Sequence, residues 1–286
     1  MTEKLLVIGA GFLGNAVISV AKESSLATSG TRLSNTHQQL DIRDMHAIEK
    51  IIQKLNPDYI VNCAALTDID NIEINPTLAY QVNSIGAQNI AKITAKNKIR
   101  FIHISTDSVF DGTKNNYSES DMPNPINEYA KSKKLGEDLI RDSNDFATVI
   151  RTNFYGYDKG NKFLFNWILN NLKRKKSFSA FSDVIFNPLE VNNLAYLIIE
   201  ILTTDLSGIV HLSGDEILSK YQFAYKVANT LNYDTSLVLQ RSIFDSNLIA
   251  KRPLNTSLSN SFAKTKLRTK IIPLEEWLRK LPVNVL

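Results

Sequence analysis

What most narrows the fold is an alternation, through the first half of the chain, of short apolar runs with amphipathic helical patterns. Lys4–Ile8, Leu26–Ser29, Tyr59–Asn62, Arg100–Ile104 and Ala147–Ile150 read as strands. Between them, Gly11–Glu23, Asp44–Leu55, Thr77–Asn97 and Asn127–Arg141 read as helices. In the second of these helices Ile48, Ile51, Ile52 and Leu55 share one face. Strands that are apolar throughout belong to a parallel sheet covered on both faces, and such strands are joined by right-handed β-α-β crossovers. The expected fold is therefore α/β, a doubly wound, Rossmann-type parallel sheet.

Beyond residue 152 turn residues gather (Asn153, Gly156, Asp158, Gly160, Asn161) and the rhythm changes. Spacing predicts helices at Phe163–Leu172, Glu190–Leu202 and Lys220–Leu231, and strands at Ser177–Ala180 and Ile209–Leu212. Composition excludes several classes. Hydrophobic residues at 43% and charged residues at 22% are ordinary globular usage. A single cysteine, Cys63, cannot form an intrachain disulfide. No apolar run approaches the roughly eighteen residues of a membrane helix, and the N-terminal stretch has no signal-peptide pattern, so a cytoplasmic protein is expected. The balance of 33 basic to 29 acidic residues, net +4, suits an anionic small ligand and does not call for nucleic acid.

Gly9-Ala10-Gly11-Phe12-Leu13-Gly14 fits G-x-G-x-x-G directly after a strand and at the opening of a helix. The first glycine permits a tight turn, the second lets backbone approach a pyrophosphate, and the third allows close helix–strand packing. The phosphates would meet free N–H groups and the positive end of the helix dipole. Residues 1–152 are thus expected to form a dinucleotide-binding unit and 153–286 mainly a substrate-binding portion, with segments near 183–190 and 208–214 able to return to the main sheet. The second strand ends in Ala27-Thr28-Ser29-Gly30-Thr31-Arg32, with no acid for a ribose 2′-hydroxyl and one arginine for a 2′-phosphate. That favours NADP, with NAD the alternative. Asp41 and Ile42 are expected beside the adenine.

Ser105-Thr106-Asp107 follows the fourth strand, at the carboxyl edge where open α/β sheets bind ligands. Tyr129 and Lys133 lie four apart on a helix and so share a face. An ammonium near a phenol stabilises phenolate and lowers its pKa, so Tyr129 could give a proton to a carbonyl oxygen held by Thr106, while a nicotinamide supplies hydride. The same spacing recurs at Tyr155 and Lys159, but within a Gly- and Asp-containing loop where the pair need not share a helix face.

With these residues in order, the chain resembles extended short-chain dehydrogenases/reductases, and more narrowly the dTDP-4-dehydrorhamnose reductase family. The resemblance is carried by Leu40-Asp41-Ile42, by Asn62 to Asp70 with Glu73, by Ala79 to Asn83, by Ser105 to Gly112, by Asn127 to Glu137, by Arg151-Thr152 and by Arg252-Pro253. It implies reduction of a 4-keto-6-deoxy nucleotide sugar. Tyr129 would then donate the proton, and Lys133 would tune it and bond the nicotinamide ribose. Thr106 would orient the carbonyl, with Asp107 beside the sugar and Phe154 where relatives carry a sugar-contacting aromatic. Ala64, Ala65 and Leu66 would line the cofactor, and Gly11, Phe12 and Leu13 would hold the pyrophosphate. A homodimer fits the relatives. The glycine turn is one residue tighter than the family's usual form. Ser108 replaces the usual tyrosine, and it also stands where the similar 4,6-dehydratases carry the Glu of Asp-Glu, which argues against dehydration. The same resemblance extends to the non-catalytic methionine adenosyltransferase β-subunit and to nucleotide-sugar epimerases, which are the alternative readings.

The remaining signals read as structural. His103 and His211 fall in apolar strands, and no Cys/His cluster suits zinc. Asp68, Asp70 and Glu73 read as a solvated loop leading into a helix, so no metal is expected. Lys173 to Lys176 reads as a basic helix end.

Overall fold

The computed structural model describes residues 3–24, 26–31, 39–158, 163–282 and 285. The chain opens with β1 (Lys4–Ile8), α1 (Phe12–Glu23), β2 (Ala27–Thr31), α2 (Met45–Leu55) and β3 (Tyr59–Asn62). Next come α3 (Ile69–Ile74), α4 (Thr77–Ala79), a π-helical segment Tyr80–Gly86, α5 (Ala87–Asn97) and β4 (Arg100–Ile104). The first half closes with α6 (Glu128–Ser143) and β5 (Thr148–Thr152). Thereafter the chain forms β6 (Phe154–Tyr155), α7 (Leu164–Lys173), β7 (Phe178–Phe181), β8 (Ile185–Phe186), β9 (Leu189–Glu190) and α8 (Val191–Leu202). It finishes with β10 (Gly208–Leu212), β11 (Leu218–Ser219), α9 (Lys220–Thr230), β12 (Val238–Arg241), α10 (Ser261–Lys266) and α11 (Leu274–Arg279).

Six parallel strands form the main sheet in the order β10-β5-β4-β3-β1-β2. Along β1 the pleat sends Leu5 and Val7 to one face, against α1 and α8, and Leu6 and Ile8 to the other, against α2 and α5. This two-sided burial is why the strands read as unbroken apolar runs. The chain leaves β1 toward β2 and returns to β3 on the opposite side, so the switch point lies between the carboxyl ends of β1 and β3.

Of the two later segments expected to rejoin this sheet, only one does. Gly208–Leu212 pairs in parallel with Thr148–Thr152. Ile185–Phe186 instead pairs antiparallel with Leu218–Ser219, and Leu189–Glu190 pairs with Phe154–Tyr155. Pro188 separates these dipeptides and has no N–H for a ladder, and Phe186 is drawn into a separate apolar cluster with Phe165, Leu169, Phe223 and Leu278. The basic run at 173–176 is exposed at the end of α7. No helix among the described residues is long and apolar enough to cross a membrane.

Candidate active site

The glycine turn lies at the switch point. Gly9 adopts φ +87°, and a Cβ there would lie 2.4 Å from Ala64 N and 2.8 Å from Cys63 C, so the β1 and β3 loops touch backbone to backbone. At Gly14 a Cβ would lie 2.2 Å from Gly9 O, which explains the third glycine by helix–strand packing. Gly11 is different. It has ordinary extended angles, and a Cβ would meet nothing within 4 Å. It is the N-cap of α1 with no side-chain cap bond, so the helix presents its N-terminus to open space. Open space at the middle glycine and packed neighbours at the other two fit a dinucleotide pyrophosphate. Leu13 is buried beneath this turn. The Phe12 side chain turns away, stacked on Phe163 at 4.5 Å and beside Phe154 at 6.1 Å.

The loop after β3 is pinned by two asparagines that the sequence reading did not assign. Asn62 Oδ1 accepts from Ala64 N at 3.0 Å. Asn83 accepts from Leu66 N at 2.8 Å and donates to Leu66 O at 3.0 Å and to Ser132 Oγ at 3.0 Å. Asn83 lies in the π-helical segment, a form that concentrates at functional sites. That segment meets α6 so closely that a Cβ at Gly136 would sit 2.3 Å from Asn83 O. Ala64, Ala65 and Leu66 are thereby held half-buried at the mouth of the glycine turn. Ile42 is buried against Gly86, and Asp41 is held below the usual carboxylate range by Arg43, whose Nη2 reaches it at 2.6 Å. Arg32 lies outside the described residues, as does Lys159.

Across the cleft, Asn127 caps α6 through Ala130 N at 2.8 Å and so fixes the turn that carries Tyr129. The Tyr129 phenol is within hydrogen-bonding reach of the Thr106 hydroxyl. Burial pushes this phenol up to about 12, against the pull of Thr106 and with the charge of Asp107 adding to the rise. The expected lowering by Lys133 is not what the environment produces: the shift is set by burial, with Thr106 the group that opposes it. Lys133 is 1% exposed, with Nζ donating to Ile104 O at 2.7 Å and lying 3.1 Å from His103 Nε2. Burial brings its pKa down to about 8, opposed by Glu137 and Cys63. Cys63, whose thiol feels the charge of Lys133, is raised to about 12 by burial. Thr106, Tyr129, Lys133 and the Gly9 turn are thus linked through one another's neighbours.

Asp107 is 2% exposed and bound by Thr256 at 2.6 Å and Asn153 at 2.9 Å. Of the neighbours Asn153 and Phe154, it is Asn153 that reaches Asp107, while Phe154 packs on Phe12. Beneath these groups, Glu137 accepts from Ser105 at 2.5 Å and from Arg151 at 2.7 Å, a buried ion pair that joins β5 to α6. No sequence signal pointed to Lys220. Its Nζ lies 3.1 Å from the centre of the Phe186 ring and feels the charge of Asp107, and burial lowers it to about 7. The acidic run has structural partners: Asp68 caps α3, Asp70 accepts from Ala250 N and Arg252, and Glu73 accepts from Glu128 N. Among the described residues no group of three or more His, Cys, Asp or Glu could hold a metal ion.

The family model for the RmlD substrate binding domain matches residues 3–284. This chain belongs to that family. It is 31% identical over 282 residues to the probable low-salt glycan biosynthesis reductase Agl14 of Haloferax volcanii, covering 95% of this chain and 94% of the relative. It is also 32% identical to mouse methionine adenosyltransferase 2 subunit beta, over 92% of this chain and 82% of that one. Among solved structures, dTDP-4-dehydrorhamnose reductase from Bacillus anthracis in complex with NADP superposes with a TM-score of 0.90 at 28% identity, covering 98% of both chains. By family the RmlD-type chain is an oxidoreductase of the dehydrorhamnose reductase kind on a Rossmann-type fold.

Proposed function

We propose that this RmlD-family chain reduces the 4-keto group of a nucleotide-linked 4-keto-6-deoxy sugar with a nicotinamide dinucleotide, NADPH in preference to NADH. The observation that carries the reading is the Thr106 hydroxyl within reach of the Tyr129 phenol, one helical turn from buried Lys133, whose charge reaches Cys63 behind Gly9 of a turn whose central glycine faces open space. A reduced nicotinamide supplies hydride. Thr106 positions the sugar carbonyl oxygen, and Tyr129, held protonated by its surroundings, gives that oxygen its proton. Lys133 is the group whose protonation makes the phenolate left behind less costly. Gly11, Phe12, Leu13 and the helix N-terminus hold the pyrophosphate. Ala64, Ala65, Leu66, Asp41 and Ile42 line the cofactor, and Arg32 takes the 2′-phosphate. Asp107, through its fixed neighbours, and Phe154 shape the sugar side. The test is NADPH oxidation with dTDP-4-keto-6-deoxy sugars by wild type and Tyr129→Phe. Equal rates in the two proteins would remove Tyr129 from its role. Net consumption of NADPH separates a reductase from an epimerase that returns its hydride.

A second reading, a nucleotide-binding regulatory subunit, is favoured by the 32% identity to the mouse methionine adenosyltransferase subunit. Dinucleotide binding without turnover of any ketosugar, together with a co-purifying enzyme, would support it over the reductase.

A further inference from the structure

Lys220 opens α9, and its backbone is fixed from both sides. Its N–H donates to Val184 O at 3.0 Å. Ser219 before it caps the helix, accepting from Gln222 N at 3.0 Å, and pairs with Ile185 of β8. From this anchor the side chain crosses the face of Phe186, with Nζ 3.1 Å from the ring centre. Phe186 is itself buried and held against Phe223, at 5.6 Å between ring centres. The ring face attracts a cation but does not use up its three N–H donors. Among the described residues no hydrogen bond or ion pair takes up the Nζ protons.

The charge that Lys220 feels is that of Asp107. That carboxylate has no lone pair to spare. Oδ1 accepts from the Thr106 and Ser108 hydroxyls, both at 3.2 Å, and Oδ2 from Asn153 at 2.9 Å and Thr256 at 2.6 Å. Those donors fill the acceptor positions of a carboxylate, so Asp107 gives Lys220 a field and no bond. A buried ammonium in that position is incompletely satisfied, and burial brings its pKa to about 7. An anion beside it supplies the missing acceptors and holds the proton. The place fits one part of the substrate. Thr106, next to Asp107, is the residue assigned to the sugar carbonyl. In a 4-ketopyranose that carbonyl stands across the ring from the anomeric carbon, and the anomeric carbon carries the diphosphate. A dianion therefore lies one sugar ring away from Thr106. Lys220 approaches from the C-terminal portion, and β3 separates β4, which ends at Thr106, from the strand that ends in the glycine turn. We propose that Lys220 binds the diphosphate of the nucleotide sugar, and that Phe186 is the positioning residue that aims its ammonium. The placement of the sugar rests on the reductase reading.

The test is calorimetry of dTDP and UDP binding to the full chain with NADP present, with thymidine and uridine followed by ligand-observed NMR. Lys220→Met is expected to weaken the nucleoside diphosphate that binds by about tenfold, the size of one charged hydrogen bond. It should leave the matching nucleoside and NADP unaffected. Phe186→Leu should weaken the same nucleoside diphosphate by roughly threefold, the size of a cation–π contact. Unchanged nucleoside diphosphate affinity in Lys220→Met overturns the assignment. Equal losses for nucleoside and nucleoside diphosphate overturn it too, since a structural role would act on both, and a loss confined to NADP moves Lys220 to the cofactor. Full affinity in Phe186→Leu refutes the aiming role. Failure of wild type to bind either dTDP or UDP also overturns the proposal. Lys220-dependent binding in a protein that consumes no NADPH with any ketosugar would sink the reductase reading and leave this one standing. Ketosugar turnover with a KM indifferent to Lys220→Met would do the reverse.

Discussion

Gly11→Ala separates a glycine kept for a ligand from one kept for packing. Gly11 has φ −85° and ψ −151°, and a Cβ there meets nothing within 4 Å. Alanine removes unfolded-state freedom, stabilising by about 0.4–1 kcal/mol, and is a poorer N-cap by a similar amount. The two offset, so the unfolding free energy is expected to stay within about 0.5 kcal/mol of wild type. Gly14→Ala instead drives a methyl to 2.2 Å from Gly9 O, a backbone atom at a turn already fixed by the approach of Ala64. Overpacking of that kind costs about 1–3 kcal/mol. Ligand response then divides the variants. At a hundredfold excess over Kd, a ligand that binds only the folded state stabilises by about 2.7 kcal/mol. Urea unfolding with and without NADP at a fixed concentration should show that increment in wild type and its near loss in Gly11→Ala. Full ligand stabilisation in Gly11→Ala, or a large loss of stability without ligand, would refute the assignment of the open space to a pyrophosphate.

Three further outcomes are expected. Glu137→Gln leaves Arg151, 3% exposed, without its anion and should lower stability by about 3–5 kcal/mol in urea unfolding; a loss below about 1 kcal/mol would mean that the Ser105–Glu137–Arg151 network is not holding α6 to the sheet. Because Lys220 feels the charge of Asp107, proposed above to shape the sugar side, Lys220→Met should raise the KM for the nucleotide sugar by about tenfold, the size of one charged interaction, while dinucleotide affinity is unchanged; the reverse pattern would place Lys220 on the cofactor side. Folding stability should also depend on pH through the buried lysines. Lys133 and Lys220 fall from 10.5 to about 8 and about 7, so the unfolded chain holds more protons and stability rises with pH from about 7 upward. Cys63 and Tyr129, raised to about 12, act in the opposite sense above about pH 9, where their unfolded forms begin to ionise. Urea midpoints measured between about pH 7 and 9 should climb in wild type and climb less in Lys220→Met; a flat or falling profile would contradict the burial of these ammonium groups.

The sheet was readable because two-sided burial writes itself into sequence: β1, β3 and β4 match their expected bounds to the residue. α3 escaped because six residues capped by Asp68 show no stable periodicity and are rich in polar residues. The π-helical turn inside the long helix leaves no mark on spacing, yet it aims Asn83 at Leu66. The dipeptide strands β8 and β9 are decided by tertiary packing around Phe186 and Pro188, which no local pattern reveals. His103 was assigned to a strand correctly, but periodicity does not say that this pleat position points at Lys133. The phenol's pKa failed in sign for a related reason. Spacing shows that an amine lies four residues away, whereas the shift is set by how far water is excluded, which depends on elements distant in sequence.

Family membership covers both a reductase and a regulatory subunit, so the distinction must come from energetics at individual side chains. A lysine at 1% exposure with no carboxylate of the described residues on its nitrogen weakens the fold at neutral pH, because its proton is bound less tightly there than in the unfolded chain. An apolar side chain of similar length would spare that loss. His103 and Ile104 O lie within hydrogen-bonding distance of the nitrogen, Asn62 holds the far side of the His103 ring, and Asn127 fixes the helical turn that sets the phenol against Thr106. A site kept only to bind a nucleotide needs the glycine turn and the β3 loop. It does not need a destabilising amine one turn from a protonated phenol, and strain of this kind is retained where chemistry uses it.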